Sequence, residues 1–111
     1  MAQGQGSYKA IPNGQDTFGG HLFGVLDYAG PASYVQGGDG PISPQAFGMF
    51  NTILSLWGSD DQSNTYRVVA RPTQNGTTPW QLVWLVNATG LEVGAGVNLS
   101  AYTVRLSAIG Y

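Results

Sequence analysis

A small antiparallel β-sandwich or barrel is predicted for this chain, and three features of its sequence predict it. Short runs of aromatic and β-branched residues recur along the 111 residues, clusters of Gly, Pro, Asn and Asp separate them, and no stretch sustains a 3.6-residue apolar period. A chain of this length forms one domain with a modest core, and without cysteine that core is held by packing alone. The expected all-β architecture has five to six strands and one short helical turn over residues 21–111, preceded by an extended N-terminal arm over residues 1–20.

The arm, MAQGQGSYKAIPNGQDTFGG, is rich in Gly and Gln and shows no periodicity. Its apolar residues Tyr8, Ile11 and Phe18 are spaced like anchors for a neighbouring chain. His21 to Tyr28 is the first strand expected, with Gly24 as a bulge or a point of close approach. Gly30 to Pro41 is dense in turn formers and reads as loop. Ser43 followed by Pro44 is the signature of a helix cap and first position, so one helical turn should seat Phe47 on the core. Met49 to Trp57 is apolar at both parities and reads as a strand buried on two sides.

Thr65 to Arg71 sets Tyr66, Val68 and Ala70 against Arg67, Val69 and Arg71, the pattern of a half-exposed strand. Asn75-Gly76 then signals a hairpin. Trp80 to Asn87 places Trp80, Leu82, Trp84 and Val86 on one side, with Val83 and Leu85 on the other. Leu91 to Val93 is a stub strand. Ala101 to Ile109 sets Tyr102, Val104, Leu106 and Ala108 against Thr103, Arg105, Ser107 and Ile109, the clearest alternation in the chain.

Charged residues make up 9% of the chain, against about 25% in an ordinary soluble domain, while aromatic residues make up 12%. A surface held against other chains needs few charges, because each buried one carries a desolvation cost. The formal net charge of -2 argues against a nucleic-acid partner, which selects a basic face. No run reaches the roughly 18 apolar residues of a membrane span, and Met1 to Gly20 lacks a signal-peptide pattern, so a soluble protein made in the cytoplasm is expected.

Candidate chemistry is sparse. His21 has no second His or Cys to share a metal, and Asp60-Asp61 sits in a GSDDQSN segment without the ligand spacing of a calcium loop. Asp39, between glycines, reads as a turn former, and no glycine cluster leads into the Lys of a phosphate-binding loop. The Asn75, Asn87 and Asn98 sequons read as products of composition. Trp57, Trp80 and Trp84 would serve a sugar-binding module only if coplanar and exposed, and core or interface packing is the simpler reading. No catalytic residue, metal or cofactor is expected. Trp80, Leu82, Trp84 and Val86 are the candidate subunit interface, and Arg67 and Arg71 are candidates for pairing with acids of a neighbour.

Several strings then stand together: Val25-Leu26-Asp27-Tyr28, Tyr34-Val35-Gln36-Gly37-Gly38, Ile42-Ser43, Phe47-Gly48-Met49, Glu92-Val93, Asn98-Leu99-Ser100 and Val104 to Gly110. Over residues 21–57 and 91–111 the chain resembles small head-associated decoration, or cement, proteins of tailed bacteriophages. The resemblance implies a virion protein on the outer capsid surface that binds the major capsid protein across neighbouring subunits. It also implies self-association, as a trimer, and supplies no catalytic residue. A head-fibre or tail-associated role and a carbohydrate-binding adhesion module are the alternatives.

Overall fold

The computed structural model describes residues 6–18, 21–49, 51–71 and 80–111, and the backbone alone of 10–18. Seven strands lie among the described residues: β1 (Ser7–Phe18), β2 (His21–Ala29), β3 (Asp39–Ile42), β4 (Ile53–Gly58), β5 (Tyr66–Arg71), β6 (Trp80–Val86) and β7 (Thr103–Gly110). They form a four-stranded sheet in the order β1-β2-β7-β4 and a three-stranded sheet in the order β3-β6-β5, with every pairing antiparallel. The all-β architecture is therefore as expected, with one strand beyond the expected range.

Three stretches differ from the expectation. Residues 7–18 are extended, but instead of standing off as an arm they pair with β2 from Ser7↔Ala29 to Phe18↔His21, with an irregularity between Ala10 and Gln15. The pairing, not the side-chain pattern, makes this strand, which is why the Gly- and Gln-rich composition hides it. β3 arises within the Gly30–Pro41 segment read as loop. Its turn-forming DGPI sequence is extended because Asp39 and Ile42 lie opposite Leu82 and Trp80 of β6. Met49 to Trp57 also yields a shorter strand than its apolar run suggests, since β4 begins at Ile53 and its second residue, Leu54, falls where the register with β7 shifts. Leu91 to Val93 contributes one bridge, Leu85↔Glu92.

The helical turn forms as the cap predicts. Ser43 Oγ accepts from Gln45 N at 3.2 Å, Pro44 opens a 3-10 turn over Pro44–Phe47, and Phe47 is buried. A Cβ on Gly24 would come within 2.9 Å of Phe47 Cβ, so the glycine of β2 is the close-approach point that admits the phenylalanine.

Inward parity is clear on the long strands. Leu26 and Tyr28 of β2, Leu82 and Trp84 of β6, and Val104, Leu106 and Ala108 of β7 are buried between the sheets together with Tyr34, Ile42, Leu56, Val68 and Leu99. Each large apolar side chain so removed from water contributes about 1.5–3 kcal/mol. Polar contacts also tie the two sheets together. Trp80 Nε1 donates to Ile53 O at 2.9 Å, linking β6 to β4, and Ser43 N donates to Tyr8 Oη at 3.0 Å, linking the end of β3 to β1.

Candidate functional site

Three polar groups within the fold are committed to holding it. The first is Asp39, read from sequence as a turn former and here 1% exposed in the core. Its Oδ1 accepts from Tyr28 Oη at 3.0 Å and from Gly6 N at 3.2 Å, and its Oδ2 accepts from Trp84 Nε1 at 3.1 Å. The Gly6 N–H is shared with Tyr28 Oη at 2.8 Å. A Cβ at position 6 would overlap Ala29 O, so only glycine brings the start of β1 to this carboxylate. Burial raises the Asp39 carboxyl from 3.8 to about 6, against the opposing hydrogen bonds from Trp84, Tyr28 and Gly6. Burial, reinforced by the neighbouring Asp39, pushes the Tyr28 phenol up, so it remains a donor.

The second group straps the 30–38 loop to the three-stranded sheet. Tyr34 Oη donates to Glu92 Oε2 at 2.7 Å and accepts from Trp84 N at 3.2 Å, while Gly37 N donates to the same Glu92 oxygen at 2.7 Å. Arg71 Nη2 donates to Gly37 O at 2.6 Å. Hydrogen bonds from Gly37 and Tyr34 hold the Glu92 carboxyl below its ordinary range. Tyr34→Phe leaves the Trp84 amide without its acceptor and should cost about 1–3 kcal/mol. Faster amide exchange at Trp84 and Gly37 together with a lower denaturation midpoint would register the loss; unchanged exchange at both would contradict it.

The third group is the 61–66 turn. Asp61 accepts from Ser63 N at 2.6 Å, Ser63 Oγ at 2.5 Å and Tyr66 N at 2.5 Å. Burial acts to raise its carboxyl, but these bonds outweigh it and the net shift is downward. A depression of about 510 Å³ lies beside this turn, against Tyr102 and Thr103. The carboxylate in its wall is already engaged by the turn, so it is a scaffold and not a reactive group. No three His, Asp or Glu side chains among the described residues converge on a common ligand position. His21 lies at the start of β2 with its ring 6.1 Å from that of Tyr111.

The expected contact residues are placed as follows. Tyr8 packs its ring on Tyr28 with centroids 5.4 Å apart and accepts from Ser43 N, so it anchors β1 to its own domain. The side chains of Ile11 and Phe18 lie outside the described residues. Leu82 and Trp84 are both 0% exposed, and Trp80 and Val86 pack against the same core. The strand expected as a subunit interface thus turns that parity inward, because two sheets facing each other need one whole face of each. Arg67 and Arg71 are exposed on β5, with Arg71 held on the Gly37 carbonyl.

The outward parities carry the apolar surface that remains. On the four-stranded sheet, Phe23 and Val25 of β2 and Ile109 of β7 are part-exposed. On β4, Leu54 and Trp57 are 50% and 45% exposed. Register places Ser107 between Val25 and Trp57, and Ile109 between Phe23 and Ser55. The Phe23 and Trp57 rings lie 6.1 Å apart at 46°. At one end of this patch runs a row of charges, Lys9 opposite Asp27 and Asp27 opposite Arg105, with Arg105 Nε 2.9 Å from Asp27 Oδ1. On the three-stranded sheet, Val69, 47% exposed, lies opposite Val83. Arg67 opposite Leu85 and Arg71 opposite Gln81 flank it.

Most of these residues escaped the sequence reading, though a signal existed: Asp27 and Arg105 share the parity of Phe23, Val25 and Ile109, and charges mark the solvent side. Trp57, Trp80 and Trp84 are not brought onto one platform, since Trp57 faces outward from β4 while Trp80 and Trp84 pack inward.

No protein-family model matches the chain, and no curated protein or solved structure matches it.

Proposed function

We propose that this protein is a non-catalytic structural module of a virion, which decorates and stabilises the capsid by packing between neighbouring chains. One observation carries the reading: the sandwich presents an apolar centre on each of its two outer faces, around Phe23, Val25, Trp57 and Ile109 on one side and Val69, Val83 and Leu85 on the other. A free monomer has little use for apolar patches pointing in opposite directions, whereas a bridging module needs two contact surfaces. The charge economy supports it. Asp27, Asp39, Asp61 and Glu92 all have hydrogen-bond partners within the chain, which leaves few acids to solvate the surface. The major capsid protein is the partner suggested by the resemblance. The face with Arg67 and Arg71 suits a shell surface bearing acids, and repetition over a lattice multiplies a modest contact.

Pelleting the purified chain with capsids that lack it tests the reading. Saturable binding is expected, with a Val69→Asp variant binding about tenfold or more weakly. Absence of binding, or full occupancy by variants charged on both faces, would remove this function. Deleting residues 1–20 is not a clean probe of contact, because it takes away β1 and the Gly6 and Tyr8 links to the core.

A further inference from the structure

We infer that the outer face of the four-stranded sheet pairs with the same face of a second copy of this chain, about a two-fold axis passing near Ser107. The inference rests on reading this face as a contact surface and names its occupant. Two copies related by a two-fold present identical groups to each other near the axis, so the patch there must be complementary to its own image. A lone charge would meet its like, and a group that only donates or only accepts would meet one that cannot answer it.

The patch meets this requirement group by group. Around Ser107 stand Val25 and Trp57 as its register neighbours, then Phe23, Ile109 and Leu54, apolar apart from the indole N–H of Trp57, which stands off the axis one strand away. The hydroxyls among them, Ser107 and Ser55, both donate and accept, which is what a side chain needs to pair with its own copy. Among the described side chains the charges of this face lie in the Lys9–Asp27–Arg105 row at its end, where Asp27 and Arg105 already satisfy one another at 2.9 Å, and the register sets Asp16 of the edge strand β1 opposite Phe23. They therefore fall at the rim of a paired interface and not at its centre. The other outer face lacks this property. Arg67 and Arg71 flank Val69 there, so a copy laid on it would bring cations toward cations.

The size of the face fits a reversible pair. Four strands about 4.8 Å apart, with about 3.3 Å per residue along β2, give roughly 500 Å² per copy, so a face-to-face pair buries about 1,000 Å². That is the lower end of a specific interface, so pairing should depend on concentration and tighten where copies are held close together on a lattice.

Sedimentation equilibrium of the full chain between about 1 µM and 1 mM should show mass rising from one chain to two. Ser107→Asp and Ser107→Lys each place a charge at the axis on a part-exposed position and should each weaken pairing about tenfold or more. An equimolar mixture of the two should restore the two-chain particle, since each then meets its opposite. Val69→Asp, on the other face, should pair as the unaltered chain does. Matching thermal melts of the Ser107 variants and the parent would separate lost pairing from lost folding, and Trp57→Ser provides a second probe if either variant melts early. A single chain at every concentration, a particle of three chains, or pairing indifferent to charge at Ser107 would overturn the inference. If capsids still bind the chain in those cases, the structural role stands and only the occupant of this face is wrong.

Discussion

Replacing Asp39 with alanine is expected to lower the stability of this protein by about 3–5 kcal/mol, a large part of the roughly 5–15 kcal/mol of a small domain. The substitution strips the acceptor from Tyr28 Oη and Trp84 Nε1, both side-chain groups in the core, and leaves Gly6 N, the link that holds the start of β1, with Tyr28 Oη alone. Orphaning buried donors costs the desolvation penalty of each. Asp39→Asn should cost less, about 1–3 kcal/mol, because the amide keeps one acceptor oxygen but turns its NH2 toward a donor. Urea denaturation of the three proteins gives the comparison. Near-equal midpoints for the alanine variant and the parent would show that Asp39 does not organise the core.

The same carboxylate fixes a pH dependence. Folded Asp39 keeps its proton up to about 6 whereas the unfolded group releases it near 3.8, so between those values the folded state binds more protons. Its contribution is therefore fully present below the unfolded value and is lost as pH rises through the folded one. From about pH 5 to about 7.5 the parent should lose about 1–2 kcal/mol, and the Asp39→Asn variant should not. Asp61 and Glu92 work in the opposite sense. Their carboxyls are held below the ordinary range, so the stability they add is present above the unfolded values and disappears as pH falls. Maximum stability is expected near pH 5, between the two losses. Thermal midpoints across the pH range, for parent and Asp39→Asn, would reveal it.

Trp84→Ala is the second substitution with a large expected effect, about 4–5 kcal/mol. The indole is 0% exposed among the largest buried side chains, so its removal leaves a cavity that two facing sheets cannot readily close. It also takes the Nε1 donor from Asp39, leaving a raised-pKa carboxyl with fewer partners to favour its charged form. Trp84→Phe separates the two contributions, since it refills most of the volume and restores no donor. Loss of the same size in both variants would assign the effect to the hydrogen bond; a much smaller loss in phenylalanine assigns it to packing. A Trp84→Ala protein as stable as its parent would contradict the core described for it.

How far this was legible in the sequence varies by element. β5 and β7 were readable because alternation records which side chains leave water, β7 the more clearly since Arg105 breaks the apolar series on one parity only, and β2 and β6 because turn formers bound their apolar runs. The helical turn was readable because Ser43 and Pro44 act through bonds within three residues. β1 and β3 were not, because their extended form comes from backbone pairing with β2 and β6, and pairing leaves no mark on a Gly- or Pro-rich segment. The choice between the two faces of β6 was not legible for a related reason. Both parities of WQLVWLV are apolar, and only the packing of the opposing sheet selects Leu82 and Trp84 for the interior.

Amino-acid sequence by itself determined the class of this molecule: alternating apolar runs punctuated by turn formers can bury their surface only as sheets. Tertiary structure alone decided which residues hold the fold and which are left on its outer faces. A carboxylate between two glycines becomes the hub of the core, and Phe23 and Trp57, unremarkable in their own strands, come within 6.1 Å on the outer face. The physical reason is that burial and hydrogen bonding depend on residues distant along the chain, such as Gly6, Asp39 and Trp84, whose proximity no local pattern encodes.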